Sequence, residues 1–261
     1  MKIPPKDKYT LLIDADLYAF STAIAMQSEN PFDPDGDDLF DGKVARMIID
    51  TRMRKLMEKF NTCHIVQCFS CNRKDNWRRD LDDTYKMNRE GKLSPIGLTG
   101  LITYLKANYE SVSEPKLEAD DLLGIFSTNG NFDHTVLCSW DKDMLTIPTH
   151  IYNGNKDVLK KQSRVDALKF FIYQVILGDS SDGYKGIKGV GKKGAQKFIN
   201  EHAKELANIW EPLVKLAEKK GHDEDYILGQ ARMAHILQHG DYDFDTEEVR
   251  LWEPSMIQEM I

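Results

Sequence analysis

The chain has 261 residues, 41% hydrophobic and 30% charged, with a formal net charge of −7. That suffices for one large domain or two small ones, and the acidic balance excludes a simple basic coat for nucleic acid. No apolar run reaches the roughly 18 residues of a membrane span, and Met1-Lys2-Ile3-Pro4-Pro5-Lys6 lacks the apolar core of a secretory signal, so the cytoplasm is the expected location.

Tyr9 to Asp14 reads as a short buried strand that ends in an acid, followed by a helix from Leu17 to Met26. Asp14 and Asp16 suit either a ligand site at a strand's carboxyl end or a helix N-cap. Residues 29–42 form an acidic loop with Pro and Gly; its Asp-x-Asp-Gly lacks the later glutamate of an EF-hand, which argues against calcium. A helix is expected from Lys43 to about Phe60, with Ile49, Met53, Leu56 and Phe60 as its apolar stripe. Cys63 to Phe69 is a second strand. Four cysteines are too few for a disulfide framework in a chain of this length, and Cys68-x-x-Cys71 lacks the second pair of a zinc ribbon.

From Cys71 to Arg89 the chain mixes Arg73, Lys74, Arg78, Arg79, Lys86 and Arg89 with Trp77 and Tyr85. That mixture suits a nucleic-acid backbone with a stacked base, and it equally suits a solvated surface segment. Lys86 and Arg89 stand three apart and would form a phosphate clamp on a helix. Pro95 is expected to open a helix that runs to Asn108, and a short strand follows near Ser111-Val112.

Leu117-Glu118-Ala119-Asp120-Asp121 then sets three carboxylates at the head of an apolar helix. Glu118 and Asp121 share a face, and Asp120 lies about a quarter turn away. A capping cluster would explain these acids alone, but acids so crowded repel unless a cation sits among them. Thr135 to Ser139 is a further strand, running into Asp141-Lys142-Asp143. A small hairpin is expected around Asn153-Gly154-Asn155, then an apolar helix from Ser163 to Leu177. After it come Asp179 and Asp182. Strands that alternate with helices and end in acids predict an α/β fold with a mostly parallel sheet and a site along one rim.

Gly186-Ile187-Lys188-Gly189-Val190-Gly191-Lys192-Lys193 is a near miss to a phosphate-binding loop of nucleotide hydrolases, since Lys193 stands where Ser or Thr should be. It reads better as a glycine turn between two short helices, with backbone N–H groups free to approach phosphate. Lys185, Lys188, Lys192, Lys193 and Lys197 give it a local positive field. The remainder, Ala203 to Lys219 and Asp225 to His239, is expected to be helical, followed by an acidic tail.

Asp14, Glu118, Asp120, Asp121, Asp141, Asp143, Asp179 and Asp182 therefore all fall at element ends. All-carboxylate sites select Mg2+ or Mn2+ over zinc, and two ions roughly 3.5–4 Å apart would clamp both sides of a phosphodiester attack.

In this order, and together with Trp77-Arg78-Arg79, Tyr85-Lys86-Met87-Asn88-Arg89 and Leu251-Trp252-Glu253-Pro254, these motifs resemble the 5′-nuclease (flap endonuclease) superfamily over nearly the whole chain. The likeness is to the 5′–3′ exonucleases of tailed bacteriophages that remove replication primers. It implies a PIN-like catalytic region over residues 1–178, with an arch at about 73–93, and a helix-hairpin-helix region with C-terminal helices over 179–261. It implies that the eight acids hold two Mg2+ ions, with Mn2+ able to replace them, and that Asp120 and Asp143 are central to catalysis. Lys86 would contact the scissile phosphate and Arg89 would support it. Arg78, Arg79, Lys185, Lys188, Gly189, Gly191, Lys192 and Lys193 would bind DNA, with K+ at the hairpin.

The implied activity is metal-dependent 5′–3′ hydrolysis of duplex DNA, RNA–DNA primer ends or 5′ flaps, in phage replication and host DNA breakdown. The family usually carries one more metal-site aspartate after the second strand, where this chain has Ser70, Cys71 and Asn72, with Asp75 the nearest acid. A PIN-type ribonuclease would share the acids but lack the lysine–glycine turn. A non-catalytic DNA-binding protein would keep the turn but need no such acids.

Overall fold

The computed structural model describes residues 9–28, 41–130 and 134–261. The opening segment and most of the acidic loop at 29–42 lie outside the described residues; Asp41 caps the next helix by accepting from the N–H groups of Lys43 and Val44.

Six strands form one sheet in the order β3-β2-β1-β4-β5-β6. They are β1 (Thr10–Asp14), β2 (His64–Cys68), β3 (Glu110–Val112), β4 (Thr135–Cys138), β5 (His150–Asn153) and β6 (Val158–Lys161). The first five run parallel, and β6 returns antiparallel beside β5 as the hairpin around Gly154. β1 is central, and its Leu11, Leu12 and Ile13 are buried from both sides, which is why it reads as a continuous apolar run. Asp14 pairs with Cys68 of β2, and Ile13 with Cys138 of β4, so these three strands end level with one another. The chain order reverses between β1 and β4, and a crevice at such a reversal is where parallel α/β sheets place ligands.

The helices are α1 (Ala15–Ser28), α2 (Gly42–Phe60), α3 (Arg78–Leu81), α4 (Leu98–Asn108), α5 (Ala119–Thr128), α6 (Arg164–Leu177), α7 (Lys192–His202), α8 (Trp210–Glu218), α9 (Glu224–Ala234) and α10 (Ile257–Met260). α1, α2 and α4 pack on the sheet face that carries Leu11, Ile13 and Val136. α5 packs on the other face against Leu12 and Leu137, and Ile236 and Leu237 cover it. A third core joins α6 to α7, α8 and α9 around Phe171, Leu213 and Trp252. Among the described residues no helix is long and apolar enough to cross a membrane.

Three expectations need correcting. α4 begins at Leu98 rather than Pro95, because Gly97 just before it has a left-handed φ of 78°. No helix lies between Leu177 and Lys192, so the glycine turn connects α6 directly to α7. α9 stops at Ala234, and residues 235–239 run outside any helix: the His235 carbonyl accepts from Arg78, the Leu237 N–H donates to Asp121, and the N–H groups of Gln238 and His239 donate to Asp241 and Thr128.

The segment that carries Asp179 and Asp182 is pinned by two glycines. Gly178 and Gly186 both have left-handed φ values, 69° and 63°. Their backbones touch: a Cβ on Gly186 would lie 2.3 Å from the Gly178 nitrogen. Gly186→Ala is therefore expected to lose about 2–4 kcal/mol from combined backbone strain and overpacking, read as a lowered denaturation midpoint. An unchanged midpoint would show that the loop relaxes at no cost.

Candidate metal centre

The carboxyl ends of β1 and β4, the head of α5 and the loop after α6 meet at one rim. Asp14 ends β1; its carboxylate accepts from the Ser139 hydroxyl at 2.8 Å and from the Leu17 N–H at 3.1 Å. Burial pushes its pKa up to about 7, against those two hydrogen bonds and with added repulsion from Asp16 and Asp141. Asp120, in the first turn of α5, is driven well above the carboxylate range by burial and then by the charge of Asp14. Among the described residues its side chain has no hydrogen-bond partner. Asp14 and Asp120 thus oppose one another's ionisation, which is what two carboxylates do when no cation lies between them.

Glu118, the N-cap residue of α5, stands in a cationic setting. Its carboxylate accepts from Lys86 Nζ at 2.6 Å, from the Tyr85 hydroxyl at 2.7 Å and from Arg78 at 3.3 Å. Burial acts to raise its pKa, but Lys86 and Arg78 outweigh it and hold the group below its usual value. Lys86 is buried and also lies 3.6 Å from Asp182, so one ammonium spans α5 and the loop after α6. Arg89 donates to the same Asp182 at 2.8 Å. Lys86 and Arg89 therefore do converge, although Lys86 is left-handed and a short 3-10 turn, Met87–Arg89, takes the place of the expected helix.

The opposite bank repeats the arrangement. Asp141 caps a 3-10 turn by accepting from the Asp143 N–H at 2.9 Å. The Lys142 ammonium bridges Asp143 at 2.8 Å and Asp179 at 2.6 Å. Asp179 falls to about 2: burial raises it, and Lys142 and the Ser181 hydroxyl and N–H overcome that. Asp143 is raised, first by burial and then by Asp141.

Asp121 and Arg78 take roles other than those expected. Arg78 is 3% exposed and Asp121 0%, and they form a bidentate pair at 2.8 Å. Arg78 also donates to the carbonyls of Met233 and His235, and Asp121 accepts from the Trp77 indole and the Leu237 N–H. Every strong acceptor direction of Asp121 is taken, and Arg78 does not face solvent. Trp77 and Tyr85, which were expected to offer stacking surfaces, are buried as well. Arg79 is held by Glu90 and the Asp83 carbonyl. Lys185, Lys188, Lys192 and Lys193 are exposed around Gly189 and Gly191 at the head of α7.

Past β2, the Ser70 N–H donates to Asp16 at 2.8 Å and the Ser70 hydroxyl accepts from the Ala119 N–H at 3.0 Å. Asp75 is exposed, in the turn Arg73–Asp75. The sequence reading missed Ser139 and the amide of Gln174, which donates to Asp143. Ser139 stands two residues before Asp141, and Gln174 is the one polar interruption of a buried helix face, so both left a trace in the sequence.

Among the described residues no three of these acids stand close enough to hold an ion as they are. The donor set nevertheless fits a hard cation: it is all carboxylate oxygen, and two of its members, Asp14 and Asp120, are kept from ionising first by burial and then by neighbouring carboxylates. The pH dependence follows. Asp14 has a folded pKa of about 7 against an ordinary 3.8, so the folded state holds the proton longer than the unfolded chain. Ion-free stability should therefore fall as pH rises from about 4 to 7, and Asp120 adds in the same direction. A divalent ion should offset that fall. Denaturation midpoints at pH 5 and pH 8, with and without Mg2+, test this; an ion-free midpoint higher at pH 8 would contradict it.

Residues 9–170 match the family described as "5′-3′ exonuclease, N-terminal resolvase-like domain". The exonuclease of Escherichia phage T7 is 29% identical over 215 residues, covering 69% of this chain and 71% of that protein. The exodeoxyribonuclease of Enterobacteria phage T3 is 28% identical, covering 69% and 70%. Among solved structures, the zinc-bound T5 5′-exonuclease superposes with a TM-score of 0.64 at 17% identity, over 87% of this chain and 89% of that one. A T5 flap endonuclease in a complex with DNA and metal ions gives 0.63 at 15% identity, over 97% and 92%.

Proposed function

Because the chain belongs to the 5′–3′ exonuclease family of N-terminal resolvase-like domains, we propose that it is a divalent-metal-dependent 5′–3′ exodeoxyribonuclease with flap-cleaving capacity. The observation that carries the reading is the meeting of Asp14, Glu118, Asp120, Asp143, Asp179 and Asp182 at one rim, with Lys86 set among them. Asp141 completes the set at the end of β4. Mg2+ is the proposed ion, with Mn2+ able to substitute. Bound there, a divalent pair supplies an activated water and neutralises charge that builds on the scissile phosphate.

The chain's own groups do the rest. Lys86 and Arg89 are paired with Glu118 and Asp182, so they are poised at the rim to orient a phosphate when those acids turn to a cation. Residues 179–261 form the gripping region: the glycine turn and the head of α7 offer N–H groups and four exposed lysines to the duplex backbone, with K+ as a candidate bridging ion. Residues 1–178 form the catalytic region, with the arch at about 73–93. Asp121 and Arg78 serve as its internal brace. The substrates are duplex DNA with 5′ ends, nicks or flaps, and RNA–DNA primer ends, in the cytoplasm of a bacterial host.

The test is a 5′-labelled nicked or flapped duplex incubated with Mg2+ and then with EDTA. Short 5′ products that need Mg2+ are expected. Cleavage that survives EDTA would overturn the metal mechanism, and a mobility shift without cleavage would make the protein a binding module. A preference for single-stranded RNA would make it a PIN-type ribonuclease.

A further inference from the structure

Gln174 is the only polar side chain in the buried set of α6, lying among Phe171, Val175 and Ile176. It is 6% exposed. Its amide nitrogen donates to Asp143 Oδ1, while its Oε1 is buried without a partner. The orientation is dictated by chemistry, since the opposite flip would set a carbonyl oxygen against a carboxylate. A buried amide left half-satisfied in a helix core is costly, so its retention calls for a role. Gln174 lines a cavity of about 20 Å³ together with Asp120, Asp143, Glu118, Asp182 and Tyr184. That volume holds about one water.

We propose that Gln174 is a positioning residue for the metal centre, an inference that rests on the nuclease reading above. Its NH2 group fixes the rotamer of Asp143 so that the second carboxylate oxygen stays available to a divalent ion. Lys142 also holds Asp143, but its side chain is 61% exposed and its charge competes with a cation, whereas a neutral amide orients the carboxylate without discharging it.

The test is direct binding of Mn2+ to the full chain without DNA, read from the free-ion electron paramagnetic resonance signal, alongside the thermal midpoint. Gln174→Met keeps length and removes both polar groups. Gln174→Glu keeps the shape and sets a second carboxylate against Asp143. The expected result is Mn2+ affinity reduced roughly 10- to 100-fold in Gln174→Met, with a midpoint unchanged or raised because the orphan oxygen is gone. Gln174→Glu should change the affinity and its pH dependence without loss of fold. Undiminished affinity in Gln174→Met beside a wild type that binds would overturn the positioning role and leave the nuclease reading standing. A wild type that binds no Mn2+ would overturn both. A lowered midpoint with unchanged affinity would make Gln174 merely structural.

Discussion

Asp120→Asn is expected to lower cleavage of a 5′-labelled duplex by about 10³-fold or more, a loss of roughly 4 kcal/mol in transition-state stabilisation. The effect should be this large because Asp120 does nothing else. Among the described residues its carboxylate has no hydrogen-bond partner, and burial and Asp14 hold it well above the ordinary range. Removing the charge relieves Asp14 and leaves no donor stranded. The ion-free variant should therefore denature at the same temperature as the wild type or higher, as expected of a residue retained for function against stability. Asp143→Asn is a less clean companion, because Asp143 also holds Lys142 and Gln174. A variant that cleaves normally, or that loses activity only by unfolding, would contradict the role given to Asp120.

Arg78→Met should act in the opposite manner, on the fold before the chemistry. Arg78 satisfies Asp121, Glu118 and the carbonyls of Met233 and His235 from a buried position. Its loss strands the Asp121 carboxylate in the core, a change that costs about 3–5 kcal/mol. For a domain of this size that is a fall in midpoint on the order of 10 °C. The double variant Arg78→Met/Asp121→Leu should recover much of it, since a buried pair replaced by apolar groups of similar volume is often tolerated. Duplex affinity of the folded fraction should stay near that of the wild type. A stable Arg78→Met protein with weakened DNA binding would restore Arg78 to the DNA surface.

The contrast between these two residues marks the limit of what the sequence alone conveyed. Strand ends were legible, because apolar runs such as Leu11-Leu12-Ile13 stop at an acid only where a buried strand reaches a rim. The acid positions followed from that. The direction of each side chain did not. Glu118 and Asp121 do share a face, and Arg78 touches both, but that face points inward at Asp121. Trp77, Arg78 and Tyr85 have the composition of a nucleic-acid surface. They are instead a buried brace, since an arginine beside aromatic rings looks the same in sequence whether its partner is a phosphate or Asp121. The end of α9 was unreadable for a related reason: residues 235–237 leave the helix to satisfy partners about 115 residues or more away in sequence, and no local signal carries that.

The most direct measurement combines ion binding with cleavage in one experiment. Mn2+ is titrated into the wild type and Asp120→Asn, and each is then given a 5′-labelled nicked duplex before and after EDTA. Saturable binding by the wild type, weakened binding by Asp120→Asn and cleavage that EDTA abolishes are the expected results. Equal binding by the two proteins, or cleavage that persists in EDTA, would contradict the assignment of these carboxylates to a catalytic metal centre.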